Sequence, residues 1–269
     1  MYKKFFVFII SIILIFIGLS GCLGNRYTDY FNGEYEVNEN TLLKVSTING
    51  QIEILGSNED KIILNAVKKS NFGRDELDYV EIDVDELENE IIIEAYYTGD
   101  RVSQPSVDMN IKIPDYVIVD QVSTSNGVIQ ISNVKGDIDA RTSNGGIFID
   151  NVEGFVKATT SNGKIEVEDT TGVKDLKSSN LGIEAEIFDF MDDIEISTSN
   201  GGITLFINSA LDADLDISTS NGFITIDDDL DIVMSLSEEK QKEGQLGIGG
   251  DEIYIHTSNG NIKIYKLDI

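Results

Sequence analysis

The four residues Thr142-Ser143-Asn144-Gly145 form one of eight related turn sequences in this chain of 269 residues. The Asn residues of these turns are Asn49, Asn126, Asn144, Asn162, Asn180, Asn200, Asn221 and Asn259. The first of the intervals between them is about four times as long as the others, and the last is about twice as long. The remaining intervals are nearly equal. Self-similarity at a nearly fixed period is the signature of a repeat protein, in which each period is one structural unit.

The residues that flank each turn repeat more strictly than the turn itself. Three residues after every Asn stands an Ile, at Ile52, Ile129, Ile147, Ile165, Ile183, Ile203, Ile224 and Ile262. Apolar residues also stand five residues after and four residues before the Asn, which is the alternation of half-buried strands. Asn-Gly tolerates positive φ and therefore favours a turn. One period thus predicts a strand, an Asn-Gly corner, a second strand and a second corner at Gly136, Gly154 or Gly172.

Two all-β architectures fit this pattern. In a β-solenoid each period is one rung, and equivalent residues stack about 4.8 Å apart. In a meander or barrel of repeated β-hairpins, each Asn-Gly pair would be a two-residue hairpin loop. We favour a single-domain β-solenoid, because stacking rewards the same residue at each position, whereas hairpins require only apolar alternation. The expected structural ladders are Ile129, Ile147, Ile165, Ile183, Ile203 and Ile224 inside, and Asn126, Asn144, Asn162, Asn200 and Asn221 along the corner.

We assign residues 36–269 to the solenoid. Residues 36–118 are predicted to be irregular N-terminal rungs, because the interval from Asn49 to Asn126 spans about four periods. Residues 119–227 are regular rungs, and residues 228–269 are C-terminal rungs with a charged loop from Glu238 to Gly244. The interval from Asn221 to Asn259 spans about two periods, which predicts a rung without Asn-Gly near 228–252 and a last rung at 251–269. Roughly ten to twelve rungs would give a rod about 50 Å long.

The repeated Thr-Ser-Asn-Gly-x-Ile motif resembles the DUF4097 family of putative adhesins. The segment Ile111-Lys112-Ile113-Pro114 is similar to the one that precedes the repeats of that family, and His256 to Ile262 resembles its closing rung. The resemblance covers about residues 37–269. It implies a β-solenoid fold but little about chemistry.

The N-terminus is typical of an exported lipoprotein. Lys3 and Lys4 precede an uncharged apolar run from Phe5 to Leu19, which is followed by Leu19-Ser20-Gly21-Cys22. This sequence resembles a lipobox, in which cleavage before Cys leaves a thiol that carries lipid. We predict a signal peptide at residues 1–21, lipidation of Cys22 and a polar tether at residues 22–35. The apolar run is short for a membrane span, and an uncleaved anchor or a plain signal peptide are the alternatives.

Composition argues against several classes of function. The formal net charge of −28 disfavours nucleic acid and anionic lipid head groups as partners, because both require Lys and Arg. His256 is the only histidine and Cys22 the only cysteine, so the chain has no zinc-ligand set. The sequence contains neither a Gly-x-Ser-x-Gly elbow nor a phosphate-binding Gly-x-x-x-x-Gly-Lys loop. We therefore expect no catalytic residues and no cofactor.

The best calcium candidate is the acidic run Asp227, Asp228, Asp229 and Asp231. Hard cations bind several oxygen ligands that converge from a bent loop. The run lacks the spacing of an EF-hand and the Gly-rich repeat of a calcium β-roll. A solvated acidic corner is the simpler interpretation.

The parity of the strands predicts two polar outward faces. One face carries Ser123, Arg141, Lys177, Ser197, Ser218 and His256, and the other carries Glu53, Gln130, Glu166, Glu184 and Thr204. We expect a non-catalytic cell-surface module, exported and anchored to the outer face of the cell membrane through its lipidated N-terminus. Its repeated faces would bind a glycan or an envelope protein. An envelope scaffold, or a polysaccharide-active β-helix enzyme, are the alternatives.

Overall fold

The computed structural model describes residues 27–99 and 105–268, which are almost entirely strands and turns. The only helix in this part is a short 3₁₀ turn at Asp75–Tyr79. The strands are β1 Tyr27–Glu36, β2 Leu42–Asn49, β3 Ile52–Ser57, β4 Lys61–Ser70, β5 Val80–Leu87, β6 Glu90–Tyr97, β7 Ser106–Pro114, β8 Ile118–Asn126, β9 Ile129–Lys135, β10 Ile138–Thr142, β11 Ile147–Thr160, β12 Ile165–Ser178, β13 Ile183–Ile187, β14 Ile194–Thr198, β15 Ile203–Ile207, β16 Ala213–Asn221, β17 Ile224–Ile226, β18 Val233–Ser237, β19 Gln241–Leu246, β20 Glu252–Asn259 and β21 Ile262–Lys266.

These strands form two stacks that enclose one core. The first stack holds the strands that precede an Asn turn, with β5 and β6 at one end and β19 and β18 at the other, in the order β5-β6-β2-β8-β10-β11-β12-β14-β20-β16-β19-β18. The second stack holds the strands that follow the turn, with β1, β4 and β7 at one end, in the order β1-β4-β7-β3-β9-β11-β12-β13-β15-β21-β17. The long strands β11 and β12 bend through a corner and contribute to both stacks. Neighbouring rungs pair in parallel, which confirms the β-solenoid and rules out the hairpin meander.

The isoleucine column lies on the solenoid axis. Ile129, Ile147, Ile165, Ile183 and Ile203 are directly opposite one another in consecutive parallel pairs and are at most 1% exposed. Each such side chain contributes about 1.5–3 kcal/mol of burial free energy. Ile224, the last residue of the predicted column, pairs with Ile262 and is 9% exposed because it lies at the C-terminal end of the stack.

The order of rungs in space differs from their order in the sequence. The first Asn turn stacks directly on the second, because Asn49 lies opposite Asn126. At the other end, β20 lies between β14 and β16, and β21 lies between β15 and β17. The last rung of the sequence is therefore inserted inside the stack. The described residues contain nine two-stranded rungs, fewer than the ten to twelve expected from the sequence.

Both long intervals between Asn turns contain antiparallel strands in place of most of the additional rungs that we predicted. The interval between Asn49 and Asn126 adds one rung, β6 with β7, on the outer side of the first turn, together with β4 and β5 as antiparallel strands. The segment near residues 228–252 is a β-hairpin, β18–β19, which pairs antiparallel with β16. The expected charged loop at residues 238–244 is accordingly strand from Gln241 onward. Unlike a rung, a hairpin can end a solenoid by covering a strand edge.

The predicted tether is wrong from Tyr27 onward. Residues 27–36 form β1, which pairs with β4 over its full length and packs Phe31 and Tyr35 against the core. The polar residues that suggested a tether alternate with these apolar residues and point outward. The N-terminal end of the second stack is consequently closed by two antiparallel strands.

The glycines of the Asn-Gly corners are required mainly for close packing between rungs. A Cβ atom on Gly127, Gly145 or Gly163 would lie 1.6–1.8 Å from the carbonyl oxygen of the corner glycine in the adjacent rung. Among these corner glycines only Gly50 has positive φ (129°), on which the sequence argument relied, and positive φ otherwise occurs at the second corner, at Asn133, Asn151 and Asp169 (φ 57°, 50° and 49°).

Candidate ligand-binding faces

The outward surface of the first stack, here called the serine face, carries the column predicted to be polar. In stack order its residues are Ser46, Ser123, Arg141, Thr159, Lys177, Ser197, His256 and Ser218, all in register. A second column of turn serines runs beside it, at Ser125, Ser143, Ser161, Ser179, Ser199, Ser258 and Ser220. The serine face is therefore an array of hydroxyl groups repeated about every 4.8 Å.

A shallow groove of about 380 Å³ lies in the middle of this face. Its outward side chains come from rungs that are distant in sequence but adjacent in space, because β20 is inserted beside β14. They are Thr159, Ser161, Lys177, Ser179, Glu195, Ser197, Ser199, His256 and Ser258. Tyr254, which is 41% exposed, lies opposite Glu195 at the edge of the groove. The groove thus combines hydroxyl groups, one ion pair, one imidazole and a nearby aromatic ring.

The charges in the groove are paired. Lys177 Nζ lies 2.8 Å from Glu195 Oε2. Hydrogen bonds from Lys177 and Ser197 lower the pKa of Glu195, and the bond to Glu195 raises the pKa of Lys177. Both groups remain charged near neutral pH and cancel each other, so the groove suits a neutral polar ligand better than a strongly charged one.

The only histidine contacts a serine side chain. His256 Nδ1 lies 3.0 Å from Ser218 Oγ, a distance that a nucleophile and its general base could adopt. Within residues 27–99 and 105–268, however, no carboxylate makes a hydrogen bond or ion pair with the His256 ring. The contact follows from the register of β16 and β20, which places the two outward residues side by side.

The outward surface of the second stack, here called the acidic face, carries stacked carboxylates. Glu166 lies opposite Glu184, and Lys164 bridges both at 2.7 Å. Glu168 lies opposite Asp150 and beside Glu186 without an equivalent cation. Burial, followed by repulsion from Glu166, Glu186, Asp150 and Glu184, raises the pKa of Glu168. The middle of this face is therefore a cluster of carboxylates in which Lys164 forms ion pairs with Glu166 and Glu184, while Lys263 lies opposite Thr204 further along the face.

We predict that Glu168→Gln raises the free energy of unfolding at pH 7 by less than about 1 kcal/mol, because it removes partly exposed like-charge repulsion. The pKa of Glu168 is higher in the folded than in the unfolded chain, so the folded state takes up this proton first as the pH falls. The free energy of unfolding of the wild-type protein should therefore rise as the pH falls from above the folded-state pKa of Glu168 toward the ordinary pKa of a glutamate. The variant should lack this gain.

Urea unfolding at pH 7 and at about pH 5 measures both effects. Glu239→Gln, on the exposed turn of the β18–β19 hairpin, is the control for loss of one negative charge. If both variants changed the free energy of unfolding equally at both pH values, the assignment of like-charge repulsion to Glu168 would be contradicted.

Between the two faces runs a continuous ladder of asparagine side chains. Each Asn donates from Nδ2 to Oδ1 of the next, in the order Asn221, Asn259, Asn200, Asn180, Asn162, Asn144, Asn126 and Asn49, over distances of 2.5–3.1 Å. Asn49 then donates to the Tyr97 hydroxyl, which donates to the Pro105 carbonyl. All predicted ladder asparagines are members, and their amides hold adjacent corners in register.

Two further columns accompany the asparagine ladder, and the sequence analysis missed the second of them. The Thr or Ser two residues before each Asn is buried, and in most rungs its hydroxyl donates to a corner carbonyl of a neighbouring rung, as Thr160 does to Gly145 at 2.9 Å. At the second corner, Asn151 Nδ2 donates to Asn133 Oδ1 at 2.8 Å. The equal spacing of Asn133, Asn151 and Asp169 is the sequence signal that could have revealed the second ladder.

The acidic run proposed for calcium forms a turn at the C-terminal end of the rod. Asp229 N–H donates to Asp227 Oδ1, and Leu230 N–H donates to the Asp227 carbonyl. Leu230 is 1% exposed and anchors the turn, while Asp228, Asp229 and Asp231 point to solvent. In the described part of the chain, no group of three or more His, Cys, Asp or Glu side chains is arranged to hold a metal ion. These residues therefore form an acidic turn.

The predicted lipidation site Cys22 and the predicted signal peptide at residues 1–21 lie outside the described residues. In the part that is described, no helix is both long and apolar enough to span a membrane.

Residues 27–265 match the Toastrack DUF4097 family. The chain belongs to the Toastrack DUF4097 family. This match covers every rung of the solenoid and confirms the resemblance found in the repeats. No curated protein matches the chain.

Several solved structures are similar to this Toastrack chain at low identity. A "putative cell adhesion protein" from Clostridium sporogenes ATCC 15579 is 12% identical with a TM-score of 0.36, over 89% of this chain and 100% of that one. A "putative adhesin" from Parabacteroides distasonis ATCC 8503 is 9% identical with a TM-score of 0.37, over 88% and 97%. A "putative adhesin" from Bacteroides fragilis NCTC 9343 is 12% identical with a TM-score of 0.31, over 89% and 97%.

Proposed function

We propose that this Toastrack protein is a non-catalytic binding module that recognises a neutral, hydroxyl-rich glycan through the groove of its serine face. The observation that carries the proposal is the in-register array of hydroxyl groups around the Lys177–Glu195 pair and His256. Such an array offers both donors and acceptors at each step, as do the hydroxyl groups of a sugar chain. Repeated subsites along one rigid rod favour a repeated ligand through multivalency.

Two features of the groove favour a glycan over a folded protein partner. The groove surface consists mainly of small polar side chains, whereas the centres of protein–protein interfaces are enriched in aromatic residues, Met and Arg. Tyr254 supplies an exposed ring next to the groove, and its hydroxyl and apolar ring suit a ligand that is polar at its edges and apolar on its faces.

We also propose that the rod is exported and held at the outer face of the cell membrane by a lipid on Cys22. The sequence Leu19-Ser20-Gly21-Cys22 supports this, and β1 begins only five residues after Cys22, which would hold the N-terminal end of the rod close to the membrane. Stable anchoring requires two acyl chains, since one gives only weak and reversible binding.

Replacement of Cys22 by Ser is expected to release the protein from the membrane fraction into the soluble fraction. Membrane fractionation of cells that express either form measures this. Ser20→Ala, within the same segment, is the control for altered export. Retention of Cys22→Ser in the membrane fraction would contradict lipid anchoring.

Binding to cells and to isolated envelope polysaccharide tests the groove. We expect beads coated with wild-type protein to bind saturably and free protein to compete. Ser197→Tyr, which fills the groove, should weaken binding at least about tenfold, a loss of about 1.4 kcal/mol.

The matched control is Thr204→Tyr. Ser197 and Thr204 are outward, half-buried strand residues of the same rung, on the serine face and the acidic face respectively. The control should bind within about twofold of wild type. Equal losses in the two variants, or polysaccharide binding by neither wild type nor control, would overturn the proposed site.

A further inference from the structure

The C-terminal end of the second stack has an open strand edge. In that stack β17 is the last strand, and among the described residues it pairs only with β21. Its hydrogen bonds to β21 involve the Phe223 carbonyl and the Asp227 N–H, both at 2.9 Å. Because backbone direction alternates along a strand, the N–H and C=O groups of Ile224 and Ile226 face away from β21. The other three ends of the two stacks are extended by antiparallel strands, which makes this edge different.

An apolar mouth opens beside this edge. The depression measures about 490 Å³ and is lined on its apolar side by Ile224, Ile226, Leu230, Ile232 and Met234. Ile224 is 9% exposed, whereas the other members of the isoleucine ladder are at most 1% exposed. Met234 is 37% exposed. The core of the solenoid is therefore accessible at this end, next to backbone groups that have no strand partner.

The rim of the mouth is acidic. Asp227, Asp228 and Asp231 line it, with Lys242 as the only basic side chain there. Asp229 belongs to the same turn but does not line the mouth. A ligand at this edge would therefore need to satisfy backbone hydrogen bonds, fill an apolar space and approach three carboxylates.

We propose that this edge binds an extended basic peptide segment of another protein, which adds a strand to β17. Unpaired N–H and C=O groups at regular spacing select a peptide backbone, and alternate side chains select its sequence. The inward side chains would be apolar and would enter the mouth, and the outward ones would be Lys or Arg near Asp228 and Asp231. An edge of three residues is about 10 Å long, which matches a short strand.

A second copy of this chain is disfavoured as the occupant by charge. Two of its outer strands, β1 and β5, carry carboxylates that would meet the acidic rim: Asp29, Glu34, Glu36, Glu81, Asp83, Asp85 and Glu86. The third outer strand, β18, is uncharged but begins two residues after Asp231, so its pairing with β17 of another copy would bring the acidic turns of both copies together. Two β17 edges facing each other would likewise bring Asp227, Asp228 and Asp231 of both copies together. The net charge of −28 opposes self-association generally.

Fluorescence anisotropy with the full-length protein tests the proposal. The probes are labelled heptapeptides that alternate Val or Ile with Lys or Arg, and matched peptides with Glu or Asp at the basic positions. We expect saturable binding of basic peptides only. Asp228→Lys combined with Asp231→Lys should weaken this binding at least about tenfold and allow the acidic peptides to bind.

Two further variants, Asp229→Lys and Ile226→Pro, separate the contributions of charge and of backbone hydrogen bonds to peptide binding. Asp229→Lys changes the charge of the same turn outside the mouth and should alter affinity by less than about twofold. Ile226→Pro removes an N–H that faces outward, so the strand should remain paired with β21 while the peptide loses a hydrogen bond and affinity. Circular dichroism of this variant should match wild type.

Three outcomes would overturn the proposal. The first is the absence of saturable binding by any basic peptide at up to millimolar concentration. The second is equal binding of basic and acidic peptides. The third is concentration-dependent dimerisation by light scattering that Ile226→Pro abolishes, which would assign the edge to a second copy. The groove on the serine face is unchanged by these variants, so this test is independent of glycan binding.

Discussion

A chain truncated after residue 250 is expected to lose the folded structure of strands β16 to β19 as well as its last rung. In a linear solenoid, removal of a terminal rung costs one interface between neighbours. Here β20 and β21 lie between the rung β14/β15 and the rung β16/β17, so their loss separates β16 to β19 from the body of the rod. Four core residues are lost directly, Ile253, Ile255, Ile262 and Ile264, each at most 1% exposed. Each contributes about 1.5–3 kcal/mol of burial free energy.

Hydrogen exchange followed by mass spectrometry measures this effect region by region. Protection should disappear across residues 213–246 and persist in residues 118–187. The control replaces the β18–β19 hairpin with a short flexible linker, which removes a covering element but leaves β20 between its neighbours. That variant should retain protection in β14, β20 and β16. Retained protection of residues 213–226 in the truncated chain would contradict the inserted position of the last rung.

Ile165→Asp is expected to destabilise the protein by about 4 kcal/mol or more, because it places an unpaired carboxylate on the dry axis. Ile165 is fully buried between Ile147 and Ile183. Since each rung contacts only its two neighbours, this substitution should also interrupt coupling between the two halves of the rod. We expect chemical unfolding to change from one transition to two, or the chain to fail to fold.

Ile165→Val and Thr204→Asp provide the comparison. Ile165→Val keeps the site apolar and should cost about 0.5–1.5 kcal/mol. Thr204→Asp introduces the same carboxylate at an outward position and should cost less than about 1 kcal/mol. If Ile165→Asp and Thr204→Asp unfolded at the same denaturant concentration, the inward assignment of the ladder would be wrong.

The repeat itself made the solenoid predictable. Columns of identical residues at Ile147, Ile165 and Ile183 report which side chains stack, because only stacked rungs place equivalent residues together. Because the repeats are nearly identical, the sequence did not predict the order in which the rungs stack. A Thr-Ser-Asn-Gly turn stacks equally well on any other copy of the turn, so the columns do not show which two rungs lie next to each other. That order depends on the hairpins in the two long intervals, where the repeat is absent.

The candidate site was likewise predictable in part: the sequence showed which residues share a face but not which of them are neighbours. Parity correctly grouped Lys177, Ser197 and His256 on one face. It did not reveal that β20 is inserted beside β14 and so places His256 in the groove next to Ser197. The open edge of β17 was equally inaccessible to sequence analysis, because its exposure depends on β18 and β19 covering only the first stack.

The most direct test of the proposed function is photo-crosslinking from the two faces of one rung while the protein is bound to cells. A photoreactive amino acid is placed at Ser197 in one variant and at Thr204 in the other, and the crosslinked material is analysed for carbohydrate. We predict glycan adducts from Ser197 in the groove and few or none from Thr204 on the acidic face. Adducts of equal yield from both positions, or carbohydrate crosslinked only from Thr204, would contradict recognition through the serine face.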